Sequence, residues 1–544
     1  MEARTIGARL RWTRRSARVV LAAICLIALL GGAYTLYARM TAHPEMAAAR
    51  YVPPDVAAFA GIDLAGAGSN QHRVGMGDLA SMLGQRDGFS EQTCLDWQKD
   101  VVPNVGRVVA FAAFAPAPST AVSAPAASAY LLQARSETTA HTMLQRAVAC
   151  LQAHGYAIAQ SAYGGFTLYT ATANGGRVMA GVAAGAGWLI AANDLQAATA
   201  ILDRLDGRGA TLADLPAFQA ATDNIMEARF ATLYVNPRTL ADVLAPSGAQ
   251  ASWEAHLLSG YTWGGGYVMW TGAGMRARLL FHPARPLVGG DLAGDTTSLA
   301  WLAPSDTLSY VGIGNLAQWL VTSARFAPPT STTSNGLSAL FANGKPSPLL
   351  RQPAALLLLR AGTAPATSSA LLLHAPDAAA TDALVQQMAH QEHWTLTAVT
   401  IGGQPATTIS GVGPQLTDIL PNGAHAAPAA GSRLGAAHLI AVIAQLGNTL
   451  AVTNSATDME TLVATATGQA PSLASLATFQ QLIAAAPTDV AATMYFDVPG
   501  MMRLADDAPG HVADALDHHA RAMLISQNWS DEQLKLILDY SLMS

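Results

Sequence analysis

Two cysteines are the side chains in this sequence most suited to covalent chemistry. Cys94 and Cys150 follow a single earlier thiol at Cys25, and each falls in a stretch whose residues predict a helix. Outside the cytoplasm, where disulfides persist, two such thiols can be oxidised to a disulfide. Because the sequence alone gives no distance between them, two unlinked, buried side chains are the alternative.

A second group with potential chemistry is formed by His390, Glu392 and His393, because imidazole and carboxylate groups bind zinc. The spacing matches neither His-Glu-x-x-His nor His-x-x-Glu-His, so it does not indicate a zinc protease. His154 occupies the corresponding helix end earlier in the chain, where a histidine interacts favourably with the helix dipole without any metal. A third cluster is likewise interpreted as the polar face of a helix: Asp517, His518 and His519.

The sequence lacks the signatures of the common catalytic and phosphate-binding sites. It has no Gly-x-Ser-x-Gly nucleophile motif and no phosphate-binding loop. The run Gly264-Gly265-Gly266 leads into a predicted strand, where it indicates a bend or a bulge. We therefore assign no catalytic, cofactor-binding or metal-binding residue, and an enzyme is the less favoured alternative.

The charge distribution argues against nucleic-acid binding. The chain has 30 Lys+Arg and 36 Asp+Glu; residues 1–40 hold seven Arg and one Glu, which leaves 23 basic against 35 acidic residues, or −12, for the remainder. An acidic body without a basic stripe does not supply the cations that phosphate neutralisation needs. With 51% hydrophobic and 12% charged residues, the body is expected to fold.

The N-terminus has the features of a membrane anchor. Residues 1–18 contain six arginines, and residues 19–38 form an uncharged run of about the 20 residues that cross a hydrocarbon core as a helix. The arginine excess before the run places the N-terminus in the cytoplasm. A cleaved signal peptide is the alternative, but Leu36 and Ala38 fit its small-residue cleavage pattern poorly.

Two long stretches of the chain are related to one another. Residues 189–236 align without a gap to residues 450–497 at a constant offset of 261, and the segment from Asp55 matches the segment from Asp306 at an offset of 251. Residues of the core-forming type coincide along the longer alignment: Leu212 with Leu473, Phe218 with Phe479, and Tyr234 with Tyr495. The sequence therefore contains an internal duplication.

The elements that the residues predict are short strands with helices inserted between them. We expect an α+β fold of two tandem diverged repeats, each a largely antiparallel sheet covered on one side by helices, after one N-terminal transmembrane helix. A chain of 544 residues is too long for one core, which agrees with two repeats. The expected organisation is a cytoplasmic basic tail (1–18), a transmembrane helix (19–38), a tether (39–52), a first repeat (53–285) and a second repeat (300–544).

A series of motifs in the first repeat resembles a known family. In order they are Trp97 to Gly106 (Trp-Gln-x-Asp-Val-x-Pro-x-x-Gly), Gly155-Tyr156, Tyr163-Gly164-Gly165, Trp188 to Asp194, and Leu212 to Ala220. This order resembles a domain of unknown function found in membrane-anchored bacterial proteins. The resemblance covers most of residues 51–245 and implies an anchor and an extracytoplasmic body; it supplies no catalytic residues, because none are established for the family. The second repeat lacks the first motif, and the last motif departs from the family by one residue, since Gln219 is followed directly by Ala220.

The expected function follows from location and layout. We expect a non-catalytic binding, adaptor or scaffold protein of the bacterial envelope, held in the inner membrane by one span with its body in the periplasm, and with envelope proteins as partners. The alternative is an envelope hydrolase whose site lies in a cleft between the repeats. Trp97 and Tyr163 are interpreted as packing residues that fix a helix end and a tight turn, with a ligand-facing role as the alternative.

Overall fold

The structure is a computed structural model that describes residues 43–67, 95–115, 127–173, 178–222, 229–244, 258–271, 274–285, 294–324, 341–342, 345–346, 348–361, 366–391, 393–411, 438–505, 520–529 and 533–542. The expected tail and transmembrane helix lie outside these ranges. No helix within them is both long enough and apolar enough to cross a membrane.

Ten strands of the first half form one antiparallel array. They are β1 (Ala58–Asp63), β2 (Val105–Phe114), β3 (Ala127–Ala134), β4 (Ala157–Tyr163), β5 (Phe166–Thr172), β6 (Val178–Gly185), β7 (Trp188–Ala192), β8 (Ala231–Val235), β9 (Tyr261–Thr271) and β10 (Gly274–Pro283). Their spatial order is β4-β5-β6-β7-β3-β2-β1-β8-β9-β10.

The strands of the second half follow the same plan. They are β11 (Ser309–Ile313), β12 (Phe341–Ala342), β13 (Lys345–Pro346), β14 (Ala354–Ala361), β15 (Ala366–His374), β16 (Thr395–Ile401), β17 (Gln404–Gly411), β18 (His438–Leu446), β19 (Thr449–Thr453), β20 (Ala492–Asp497), β21 (Ala520–Trp529) and β22 (Leu534–Leu542). Apart from the small β12–β13 pair, their order is β16-β17-β18-β19-β15-β14-β11-β20-β21-β22.

The helices also recur in matching places. In the described ranges they are α1 (Leu64–Ala67), α2 (Glu137–Ala153), α3 (Leu195–Leu205), α4 (Pro216–Thr222), α5 (Pro237–Leu244), α6 (Leu316–Ala324), α7 (Ala378–Gln391), α8 (Ala456–Ala466), α9 (Ala477–Ala485) and α10 (Val498–Ala505). Helices α3 and α8 each begin at a side-chain cap, from Asp194 and Ser455 respectively. Short 3-10 turns, Leu212–Asp214 and Leu473–Ser475, occupy equivalent positions.

Strand register obeys the offsets read from the sequence. Phe59 of β1 faces Tyr234 of β8, and Tyr310 of β11 faces Tyr495 of β20. Phe59 and Tyr234 both pack against Phe218 of α4. In the second half, Tyr310 and Tyr495 both pack against Phe479 of α9. The matched residues of the duplication are therefore core residues, as their types predict.

The two halves join edge to edge. Strand β10 pairs with β22 through eight antiparallel residue pairs, from Gly274 with Ser541 to Phe281 with Leu534. This junction makes a single 20-stranded sheet. Arg276 of β10 and Asp539 of β22 face one another there and form an ion pair.

Helices cover both faces of the sheet, so the expectation of helices on one side only was wrong. Ile201 of α3 and Phe218 of α4 pack with Ile190 on one face, while Met143 of α2 packs with Leu189 on the other. The reason is visible in β7, which is buried along its whole length. A continuous apolar strand of this kind needs cover on both sides.

Two further segments differ from expectation. Residues Pro44–Tyr51, in the expected tether, form a 3-10 helix with buried Glu45, Ala48 and Ala49. The helix packs against β1 and β2, and its two buried alanines belong to the apolar core. The glycine run of β9 keeps regular register with β10, and the irregularity lies near Pro283 instead. The glycines make room for neighbours: a Cβ on Gly264 would meet the Phe281 ring at 2.6 Å, and one on Gly265 would meet Ala221 at 2.5 Å.

Candidate functional site

A buried pair of opposite charges joins the 3-10 helix Pro44–Tyr51 to the sheet. The 3-10 helix Pro44–Tyr51 runs beneath Gly61 of β1, where a Cβ would collide with the Glu45 carbonyl oxygen. This close approach brings Glu45 to Arg229, just before β8. Arg229 Nε donates a 2.6 Å hydrogen bond to Glu45 Oε1, and the two side chains are 1% and 0% exposed.

Two more side chains contact the Glu45 carboxylate, and Met46 Sδ accepts a 2.9 Å hydrogen bond from Arg229 Nη2. Thr232 Oγ1 donates to Glu45 Oε1 at 3.2 Å, and His43 Nδ1 lies 3.3 Å from the same oxygen without the alignment of a hydrogen bond. Among the described residues, neither Glu45 Oε2 nor Arg229 Nη1 has a hydrogen-bond partner, although both atoms are buried. Buried polar atoms of this kind are usually satisfied by a partner or by an ordered water.

The carboxyl group of Glu45 has a lowered pKa. Burial alone would raise that pKa, because it penalises the charged form, but the contacts from His43 and Arg229 outweigh burial. The carboxylate is therefore charged at neutral pH and its charge is compensated by Arg229.

This lowered pKa predicts a specific acid response. In the unfolded state the pKa of Glu is near 4.3. A carboxyl whose pKa is lower in the folded state stabilises the fold at pH values above the unfolded-state pKa. This stabilisation is lost as the pH falls through the folded-state pKa. We expect the double variant Glu45→Thr/Arg229→Val to lose less thermal stability than the wild type between pH 7 and pH 3. Thermal midpoints from circular dichroism across this range test the prediction; parallel pH curves for the two proteins would contradict it.

The second copy has no charges at the same place. At the offsets of the duplication, Glu45 corresponds to Thr296 and Arg229 to Val490. Thr296 and Thr493, the counterpart of Thr232, share a 2.7 Å hydrogen bond between their hydroxyl groups. The fold is thus built at this position by a neutral pair, and the charge pair of the first copy is a feature of that copy alone.

A second ion pair lies at the end of β1. Asp63, whose side chain is 4% exposed, accepts two 2.8 Å hydrogen bonds from Arg107, which is half exposed. The hydrogen bond to Asp63 raises the pKa of Arg107, against the opposing effect of burial. The corresponding residue of the second copy is Gly314, so this carboxylate too is confined to the first copy.

The Tyr-Gly-Gly turn between β4 and β5 holds a third polar contact. Tyr163 Oη donates to Asp203 Oδ1 of α3 at 3.0 Å, and Arg208 binds the same oxygen at 2.7 Å. The hydrogen bond to Asp203 raises the pKa of Tyr163. In the second copy, Ile401 takes the place of the tyrosine, and Gly402 lies against Val463 of α8. Tyr163 thus ties the turn to α3, in the position where the sequence places a turn-fixing residue.

The family of the chain follows from comparison with protein-family models. The model of a protein of unknown function (DUF3352) matches residues 19–536. The chain belongs to the DUF3352 family. The resemblance inferred from the motifs is therefore confirmed at the level of a domain of unknown function, and the family match extends through both halves.

Other comparisons add little to DUF3352 membership. A search of curated proteins found no match. Among solved structures, crystal form I of TP0453 matches at 10% identity with a TM-score of 0.26, covering 44% of this chain and 80% of that chain. Crystal form III of TP0453 matches at 13% identity with a TM-score of 0.28, covering 44% and 81%. The resemblance to TP0453 is distant.

The cysteines of this DUF3352 chain remain the candidates for covalent chemistry. Cys150 is disulfide-bonded, and Cys94 lies outside the described residues, so the pairing of the two stays a prediction. The sulfur of Cys150 lies 3.6 Å from His154 Nδ1. A sulfur held in a disulfide is not a nucleophilic thiolate, so this Cys–His contact is structural.

The disulfide predicts a difference in gel mobility. We expect the wild-type chain to migrate faster without reductant than with it, because an internal link keeps the denatured chain shorter. The Cys94→Ser and Cys150→Ser variants should each migrate at the reduced position under both conditions, whereas Cys25→Ala should behave like the wild type. Full alkylation of Cys94 and Cys150 without reductant would overturn the pairing.

The described residues of the histidine clusters are not arranged as a metal site. In the described ranges no group of three or more His, Cys, Asp or Glu side chains is placed to hold a metal ion. His393 adopts a left-handed conformation (φ 58°) just after α7, and His154 caps the C-terminus of α2 through its backbone N–H. Glu392 and the segment with Asp517, His518 and His519 lie outside the described residues, as does the side chain of Trp97.

Sequence reasoning missed the charged residues of the first copy. Glu45 stands in an alanine-rich stretch and Arg229 beyond a predicted helix, 184 positions apart, so no local pattern links them. The duplication nevertheless carried a signal. The alignment that pairs Tyr234 with Tyr495 also pairs Arg229 with Val490, and a charge opposite a buried aliphatic residue marks a position where the copies diverge.

Proposed function

We propose that this DUF3352 protein is a non-catalytic, membrane-anchored scaffold or binding protein of the bacterial envelope. Residues 19–38 span the inner membrane, the N-terminus is cytoplasmic and the double-copy body lies in the periplasm. Its partners are envelope proteins, bound by surfaces of the body. The uncharged run after an arginine-rich tail supports this location.

The proposal of a non-catalytic protein rests on the partners of its buried carboxylates. Of the four buried carboxylates of the described residues, Asp458 bonds the Ser455 hydroxyl at the start of α8. The other three pair with arginines: Glu45 with Arg229, Asp63 with Arg107, and Asp539 with Arg276. Each pair spans two elements and fastens them together. Catalytic groups, in contrast, are arranged toward a substrate position with a nucleophile and base in reach.

The junction between the copies also favours a scaffold over a hydrolase with a site between them. The copies meet by main-chain pairing of β10 with β22, and Arg276 donates two hydrogen bonds to the Asp539 carboxylate. A continuous sheet of 20 strands offers long surfaces, which suit partner binding. The alternative hydrolase would need a cleft at this junction, where the main chains of β10 and β22 pair instead.

Location and binding are tested separately in cells. Protease added outside intact cells should leave the body uncut, whereas protease added to spheroplasts should digest it and spare an N-terminal tag. A body that resists protease in spheroplasts but is cut after membrane lysis would overturn the proposed location.

Binding is tested with photo-crosslinking residues at matched exposed positions, Arg208 in the first copy and Gln469 in the second. Discrete adducts with envelope proteins at one or both positions are expected. Labelling of the purified full chain by fluorophosphonate or epoxide probes of hydrolase nucleophiles would instead favour the enzyme.

A further inference from the structure

Strands β4 and β16 form the two ends of the sheet that the structure describes. Strand β4 pairs only with β5, and β16 pairs only with β17, among the strands that the structure describes. An edge strand presents a row of main-chain donors and acceptors that can pair with another chain. Proteins usually protect such edges with charged side chains, prolines or bulges.

Strand β16 has none of these protections. Its sequence is Thr-Leu-Thr-Ala-Val-Thr-Ile, without charge, proline or glycine. Its register with β17 is regular along all seven residues, so no bulge bends the edge away. Residues Thr395, Thr397, Ala398 and Thr400 are exposed. Strong β-propensity, no charge and exposure together are typical of a strand that recruits another strand.

The equivalent edge of the first copy is different. Strand β4 has Gln160 at its centre and ends at Tyr163, where Asp203 and Arg208 gather around the turn. Strand β4 is itself without charge, proline or bulge, and it differs from β16 in the polar Gln160 and in this charged cluster at its end. The corresponding turn after β16 packs on Val463 instead.

We propose that β16 binds β16 of a second copy of this chain, in antiparallel orientation, to form a symmetric dimer. Pairing about Ala398 is self-complementary, because it places Thr395 opposite Ile401, Leu396 opposite Thr400, and Thr397 opposite Val399. Such pairs of β-branched and aliphatic side chains stabilise antiparallel strands.

The chain already uses this mode of association internally, since its own two copies join by the antiparallel strands β10 and β22. An isologous β16 contact closes at two chains, whereas β4 with β16 would continue into open filaments. The inference does not depend on the proposed scaffold function.

Disulfide trapping tests both the contact and its register. In full-length protein carrying Cys25→Ala, the Ala398→Cys variant should form a covalent dimer on mild oxidation, because residue 398 lies opposite itself. Gln160→Cys, at the equivalent position of β4, is the matched control and should stay monomeric. Equal trapping at both positions, or trapping at neither, would overturn the proposal.

Sedimentation of the purified full-length chain in detergent provides the second test. The wild type should be dimeric, and Ala398→Lys should raise the dimer dissociation constant by about tenfold or more, since like charges would face one another across the contact. Gln160→Lys should leave the constant unchanged, and unchanged thermal unfolding of both variants shows that they fold. A monomeric wild type, including one in which β16 instead binds a foreign peptide, would contradict the proposal.

Discussion

Replacement of Arg229 by Val, the residue at the matching position of the second copy, is expected to lower the free energy of unfolding by about 3–5 kcal/mol. The guanidinium is the cation that compensates Glu45, whose side chain is 0% exposed. Without it, the carboxylate keeps the Thr232 hydroxyl as a donor but loses the arginine that compensates its charge. A buried charge that has lost its partner is far more costly than a truncated side chain.

The double variant Glu45→Thr/Arg229→Val is expected to recover most of that loss and to lie within about 1 kcal/mol of the wild type. It rebuilds in the first copy the arrangement of the second, in which Thr296 shares a hydrogen bond with Thr493 and no charge is present. Replacement of a buried ion pair by well-packed neutral residues is often neutral or stabilising, because desolvation of the charges is avoided.

Denaturant unfolding of the full-length chain, followed by circular dichroism, measures both variants. Arg208→Val is the control, because it removes an arginine of the same copy from an exposed ion pair and should cost no more than about 1 kcal/mol. A double variant as unstable as Arg229→Val would show that the first copy needs the charge pair to fold. Recovery would instead show that the stability of the first copy does not require the charge pair.

Much of the fold was predictable because the sequence contains two copies of it. The stretch 189–236 and its repeat at 450–497 share leucine, phenylalanine and tyrosine at fixed spacing, and these positions form the cores beneath β8 and β20. The two offsets also relate the register of β1 on β8 to that of β11 on β20, although they predict neither register by itself. The coverage of both sheet faces was missed, although the uninterrupted apolar sequence of β7 indicates it.

The candidate site and the junction were less accessible for a physical reason. Glu45 and Arg229 meet through tertiary packing of a 3-10 helix under Gly61, and no spacing rule connects residues so far apart. The pairing of β10 with β22 is likewise nonlocal, and each strand alone looks like one arm of a closing hairpin. Only the comparison of the copies identifies the divergent charges in advance.

The junction provides the second large expected effect, in the variant Arg276→Met. Arg276 Nε and Nη2 bind Asp539 at 2.6 and 3.1 Å, and Nη2 also donates to the Ala485 carbonyl oxygen of α9 at 2.7 Å. One side chain thus connects β10, β22 and a helix of the second copy. Methionine retains the apolar stem but leaves the buried Asp539 unpaired, so we expect a loss of about 3–5 kcal/mol at pH 7.

The loss should shrink as the pH falls, which distinguishes a charge effect from a packing effect. Burial raises the pKa of Asp539, and Arg276 opposes that rise. Without Arg276 the pKa of the folded state rises further above the unfolded value, near 3.9. A carboxyl whose pKa is raised in the folded state costs no stability below the unfolded-state pKa, where it is protonated in both states. As the pH increases above that pKa, the carboxyl destabilises the fold. Unfolding of Arg276→Met and wild type at pH 7 and pH 4 should therefore show the larger difference at pH 7.

Arg276→Met/Asp539→Leu is the matched control, because it removes both charges and should restore stability at pH 7 relative to Arg276→Met alone. Scanning calorimetry adds a readout of the junction itself. If the β10–β22 contact couples the two copies, the weakened junction of Arg276→Met should broaden or split the unfolding transition, and the control should narrow it again. The destabilisation by Arg276→Met could instead be independent of pH and unchanged by the addition of Asp539→Leu. That result would mean that Arg276 acts through packing and that its charge does not hold the two copies together.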